Sequence, residues 1–107
     1  MTVVSESYST AQTSAVLIPP QAGQIIRVVR VVITAWTDVR ITLLSDPGPA
    51  PDELLAPLYA GKSGPVCLRL GRSHAIVTER GRGLGMHASF NGTAGQYSVS
   101  VWYEVVS

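Results

Sequence analysis

Between Gln24 and Trp36 the chain reads QIIRVVRVVITAW, an apolar run broken only at Gln24, Arg27, Arg30 and Thr34. Such a density of Val and Ile predicts a β-strand. Strand side chains alternate between two faces. Strict alternation puts Ile25, Arg27, Val29, Val31, Ile33 and Ala35 on one face, and Ile26, Val28, Arg30, Val32, Thr34 and Trp36 on the other. A small antiparallel domain needs one apolar face for its core while the other meets water. The second apolar face therefore predicts a covering protein chain.

The rest of the sequence alternates in shorter runs separated by turn residues, and helical periodicity is nearly absent. Thr2–Ser9 reads as a first strand or as part of an extended arm, Met1–Thr10, and Thr13–Ile18 as a second strand closed by Pro19-Pro20. The long strand follows, and Thr37-Asp38 predicts a hairpin into Val39–Leu44. The run DPGPAPDE, Asp46–Glu53, has three prolines and predicts a surface loop. Leu54–Tyr59 fits a helical turn or an edge strand, with strands then expected at Val66–Leu70, Ala75–Thr78 and Leu84–Phe90. Gln96–Val106 alternates most regularly, with Tyr97, Val99, Val101, Tyr103 and Val105 facing in, and Trp102 among Ser98, Ser100 and Glu104 facing out. About eight strands over 107 residues predict a single all-β domain, an antiparallel sandwich or jelly roll.

Composition strengthens the expectation of a partner. Charged residues are 14% of the chain and apolar residues 46%, and the net charge is +1. Soluble domains carry about 25% charged residues, so part of this surface is expected to be covered. Seven of the eight basic residues are Arg, with Lys62 alone. Arg is enriched and Lys depleted at interfaces, although an Arg-rich coding bias gives the same count. So small a net charge supplies no field for nucleic acid or an acidic membrane. No run reaches the ~18 apolar residues of a membrane span, and the polar start MTVVSESYST lacks a signal peptide's pattern. Synthesis in a cytoplasm is the expectation.

Candidate chemistry is sparse. The lone Cys67 rules out an internal disulfide, and His74 and His87 lack the ligand spacing of a zinc site. Ser73 and His74 are sequence neighbours whose side chains diverge on a strand, so they do not form a nucleophile–base pair. These residues predict no enzyme, no metal and no cofactor. Arg80-Gly81-Arg82-Gly83 reads either as a turn with solvated arginines or as a contact in which Arg80 and Arg82 grip a partner's carboxylates. Trp102, a large aromatic on a polar strand face, marks an interface or a cap on the chain's own core.

The pieces Ala22-Gly23-Gln24-Ile25-Ile26, Thr78 through Met86, and Gly95 through Tyr103 occur in an order that resembles the small β-sandwich or jelly-roll virion proteins of tailed bacteriophages. These include capsid decoration (cement) proteins, head fibres and small tail-associated modules. Similar aliphatic patterns occur in trimeric jelly rolls of the complement C1q and tumour necrosis factor type. The resemblance implies a self-associating structural protein of the virion, often trimeric, without enzymatic activity. The expected function is capsid decoration, with the major capsid protein or another virion protein as partner. The alternative is a receptor- or carbohydrate-binding module of a tail fibre or baseplate, for which Trp102, Tyr59 and Tyr8 are the candidates. The expected oligomer interface is Ile26, Val28, Arg30, Val32 and Trp36 with Trp102, and the expected lattice contacts are the arm and the exposed loops, Arg80 and Arg82 among them.

Overall fold

The computed structural model describes residues 2–46, 52–61, 64–71 and 76–107. Met1, Lys62, Ser73, His74, Ala75 and the centre of the proline loop lie outside the described residues. The described chain is all-β, two antiparallel sheets packed face to face. The first sheet holds β1 (Thr2–Tyr8), β3 (Ile25–Ala35), β7 (Val66–Arg69), β8 (Ile76–Val77) and β10 (Tyr97–Val106). Its order is β1-β10-β3, with β7 and β8 taking successive stretches of β3's far side. The second sheet holds β2 (Gln12–Ile18), β4 (Val39–Asp46), β5 (Asp52–Glu53), β6 (Leu58–Ala60) and β9 (Gly83–Phe90). Its order is β2-β9-β4, with β5 and β6 both on β4.

Thr2–Tyr8 is a strand rather than a free arm, paired with β10 from Thr2↔Tyr103 to Tyr8↔Tyr97. Leu58–Ala60 resolves the choice left open for Leu54–Tyr59 in favour of an edge strand. The hairpin expected at Thr37-Asp38 does not form. β3 and β4 belong to different sheets, so these residues turn a corner between layers. Both strands carry apolar residues that must reach one core, and facing each other across it buries more than lying side by side. Glycines let the chain close in on the corner. A Cβ on Gly95 would lie 2.6 Å from Thr37 Oγ1, and one on Gly61 would collide with the Asp38 backbone at 2.7 Å.

The largest departure from strict alternation is in β3. Against β10, Trp102 pairs with Arg30 but Tyr103 pairs with Val28, which leaves Val29 as an extra residue. This is a β-bulge, and it reverses the inward phase of the strand. Ile26 and Val28 face the core before it, Val31 and Ile33 after it, and all four are at most 1% exposed. Ile26 and Val28, expected at an oligomer interface, are therefore interior residues of the monomer. The bulge falls where β7 gives way to β8, and there Val29's carbonyl accepts a hydrogen bond from Leu70 N–H at 2.8 Å. One apolar line thus runs through β3, drawn from both of the sets that alternation separates.

Across from it stand Leu17, Ile18, Ile41, Leu43, Leu84, Met86 and Ala88, all buried. Burial of each large aliphatic contributes about 1.5–3 kcal/mol. Tyr97 closes one end of the core with its ring 0% exposed, stacked on Tyr8 at 5.5 Å and edge-on to Phe90 at 5.6 Å. Its hydroxyl donates to the Thr10 carbonyl at 2.8 Å. Burial, helped by Tyr8, pushes that hydroxyl's pKa up to about 12.

Candidate docking surface

Residues paired across a ladder share a face, so the registers define the outer face of the first sheet row by row. One row is Val3, Trp102, Arg30 and Arg69; the next is Ser5, Ser100, Val32 and Cys67; a third is Ser7, Ser98 and Thr34. On the β1 side the face is a hydroxyl ladder, with Ser5–Ser100 and Ser7–Ser98 oxygens each 2.9 Å apart. On the β7 side it is cationic. In the centre, the Arg30 guanidinium lies over the Trp102 ring, 4.6 Å from its centroid. Such stacking holds a cation and an aromatic together in a partly desolvated position. Val3 is half exposed next to Trp102.

Arg27 and Arg30 are both outward because the bulge lies between them. That was the signal in the sequence. Under strict alternation the two charges sit on opposite faces and spoil both, whereas one inserted residue brings both outside. Arg27 Nη1 pairs with Glu104 Oε2 at 3.5 Å. Arg30 faces a second guanidinium, Arg69, directly across the β3–β7 ladder. Arg30 Nε is buried without a hydrogen-bond acceptor among the described residues.

Four of the expected interface residues therefore meet on one exterior surface or at its margin. Arg30, Val32 and Trp102 lie together on this face. Trp36, 70% exposed, stands at its end, just past β3. Arg69, Cys67 and Val3 belong to the same surface and were missed, because only non-local pairing brings them there.

Arg80 and Arg82 are elsewhere and have partners within the chain. Arg80 Nη1 donates to the Gly23 carbonyl at 2.7 Å, and Arg82 Nε pairs with Glu79 at 3.2 Å. Gly81 takes φ +83° and its N–H reaches the Gln24 carbonyl at 2.8 Å, which favours the reading of this segment as a turn. Thr78, buried beside it, accepts from Ile26 N–H and donates to the Arg82 carbonyl, tying the turn to the start of β3.

The aromatics considered for sugar binding are not brought together. Trp102 is on the outer face of the first sheet, and Tyr59, 69% exposed, pairs with Arg40 on the outer face of the second. Tyr8 stacks on Tyr97 at the end of the sandwich. There it lines an open cleft with Ser7, Ser9, Trp36, Gln96 and Ser98. His87 lies outward on β9, in a shallow depression with Arg40, Thr42, Leu44 and Glu53. Among the described residues, no three His, Cys, Asp or Glu side chains gather as metal ligands would. No protein-family model matches the chain, and no curated protein matches it.

Proposed function

We propose that this chain is a structural protein that acts by binding alone, a jelly-roll module that docks on a larger protein assembly through the outer face of its first sheet. The observation that carries this reading is the stacked Arg30–Trp102 pair at the centre of that face, flanked by Val3, Val32 and Cys67. Trp and Arg dominate the energetics of protein interfaces when they sit centrally among apolar neighbours. The face mixes arginine and serine with a few apolar residues, whereas obligate subunit interfaces are more apolar. Docking on another protein therefore carries more of this reading than self-association into a trimer does.

The strand order supports the jelly-roll form. If β5 with β6, and β7 with β8, are each counted as one interrupted strand, ten strands become eight. The sheets then run first-eighth-third-sixth and second-seventh-fourth-fifth, as in a jelly roll. That architecture serves both viral shells and lectins, and fold alone does not choose between them. The likeness of the strand pattern to phage virion proteins favours a capsid decoration protein. It would bridge capsomers and stabilise the shell because it binds only the assembled form.

One observation favours the alternative, a receptor- or carbohydrate-binding tail module: the cleft where exposed Trp36 and half-buried Tyr8 stand among serine hydroxyls and the Gln96 amide. Removing the coding sequence from a producing phage separates the two readings. Decoration predicts particles that rupture at lower temperature, adsorb normally, and regain stability with added wild-type protein but not with Trp102→Ala. Unchanged particle stability with lost adsorption would support the tail module instead.

A further inference from the structure

We infer that Arg30 and Arg69, with Trp102 beneath Arg30, form a carboxylate-binding site, and that the docking partner presents an acidic segment to it. The inference rests on the docking reading of this face and names the chemistry that would occupy it. Three observations converge. First, register places the two arginines directly opposite one another on neighbouring strands, an arrangement that is destabilising for like charges. Second, Arg27, Arg30 and Arg69 share the face with one described carboxylate, Glu104, and that carboxylate is paired with Arg27. Third, Arg30 Nε is buried with no acceptor among the described residues, and the guanidinium carbon lies over the indole, 4.6 Å from its centroid.

A buried donor without an acceptor is costly unless a ligand supplies one. A guanidinium is a planar fork that takes a carboxylate through two parallel hydrogen bonds, and the indole beneath Arg30 limits the positions its fork adopts. A glutamate or aspartate placed between Arg30 and Arg69 would cancel the repulsion between the arginines and, once Arg30 shifts to admit it, give Nε an acceptor. Val32 and Cys67, in the neighbouring row of the same face, offer an apolar floor to the residues beside it.

The test uses the full chain and a blocked tetraglutamate peptide as probe, with the tetraglutamine peptide and inorganic phosphate as comparisons. Binding is followed through the Trp102 indole and arginine Nε–H resonances. The glutamate peptide should shift both signals, and Arg69→Ala should weaken its binding about tenfold, as expected for loss of a charge-assisted hydrogen bond. Arg30→Lys, which keeps the charge and removes the fork, should weaken it comparably. Both side chains point outward, and an unchanged melting curve would confirm that the variants fold. Equal binding of the glutamine peptide or of phosphate would overturn the inference, as would full affinity in both variants. So would shifts that track protein concentration without peptide, which would make a second copy the occupant. If the peptide does not bind but Trp102→Ala still abolishes docking on particles, the carboxylate site fails while the docking reading stands.

Discussion

The two halves of β3 make the most instructive comparison in this protein. Before Val29 the core takes the even-numbered residues Ile26 and Val28; after it, the odd-numbered Val31 and Ile33. The halves are alike in composition and opposite in phase. A strand read with an unbroken period of two shows two half-apolar faces; the folded strand has one fully apolar line and one mixed exterior. The difference teaches that an apparent second apolar face can be a single face displaced by a bulge. It also changes what there is to explain outside, which is now an arginine-, serine- and tryptophan-bearing surface rather than an aliphatic one.

A charge placed on the interior line of either half has the largest expected effect. Val28→Asp and Val31→Asp each bury an unpaired carboxylate and should cost about 3–5 kcal/mol, much of a small domain's ~5–15 kcal/mol. Urea titration followed by tryptophan fluorescence would show both variants largely unfolded, although their positions differ in parity.

The interior line after the bulge ends opposite Tyr97, which pairs with Ala35. Because the folded-state pKa of Tyr97 is raised to about 12 from an ordinary value of 10.0, folded protein holds this proton after unfolded chains have lost it. Its contribution to stability is complete below pH 10 and is lost as pH rises toward about 12. Tyr8 is raised in the same direction by burial and by Glu6. Urea midpoints should therefore fall as pH rises above ~10, with a shallower fall in Tyr97→Phe.

Removing the bulge residue has a smaller expected effect. Deleting Val29 leaves Ile26, Val28, Val31 and Ile33 in continuous alternation, so the strand keeps its core line. The loss is one buried side chain and the acceptor for Leu70 N–H, about 1–3 kcal/mol in all. The variant should remain folded by circular dichroism. Were the strand unbulged, the same deletion would turn half of it inside out and unfold it. The smallest effect is expected at Val32→Asp, on the exterior of the second half. Stability should change by less than about 1 kcal/mol, while docking on an assembly should be lost.

The first half of β10 was legible, because Tyr97–Val101 alternates apolar and polar residues without interruption, whereas Val105 near its end is 39% exposed although the alternation points it inward. Trp102 declared its outward position through its neighbours Ser100 and Glu104. The phase of β3 was concealed, because valine occupies positions 28, 29, 31 and 32 and gives no local sign of which two face in. Only the spacing of Arg27 and Arg30 carried that information. The corner at Thr37-Asp38 was misread for a related reason. A two-residue link serves a hairpin and an inter-sheet turn equally well, and the choice is made by packing against Gly61 and Gly95. Arg69 could not be placed beside Arg30 from the sequence, since their juxtaposition depends on strand register alone.

Thiol labelling tests the phase reversal most directly. In a Cys67→Ser background, single cysteines at positions 27, 28, 30, 31 and 32 would be exposed to a thiol reagent under native conditions. The bulged register predicts rapid labelling at 27, 30 and 32 and protection at both 28 and 31. Positions 28 and 32 reacting alike, with 31 opposite to both, would restore strict alternation and contradict it.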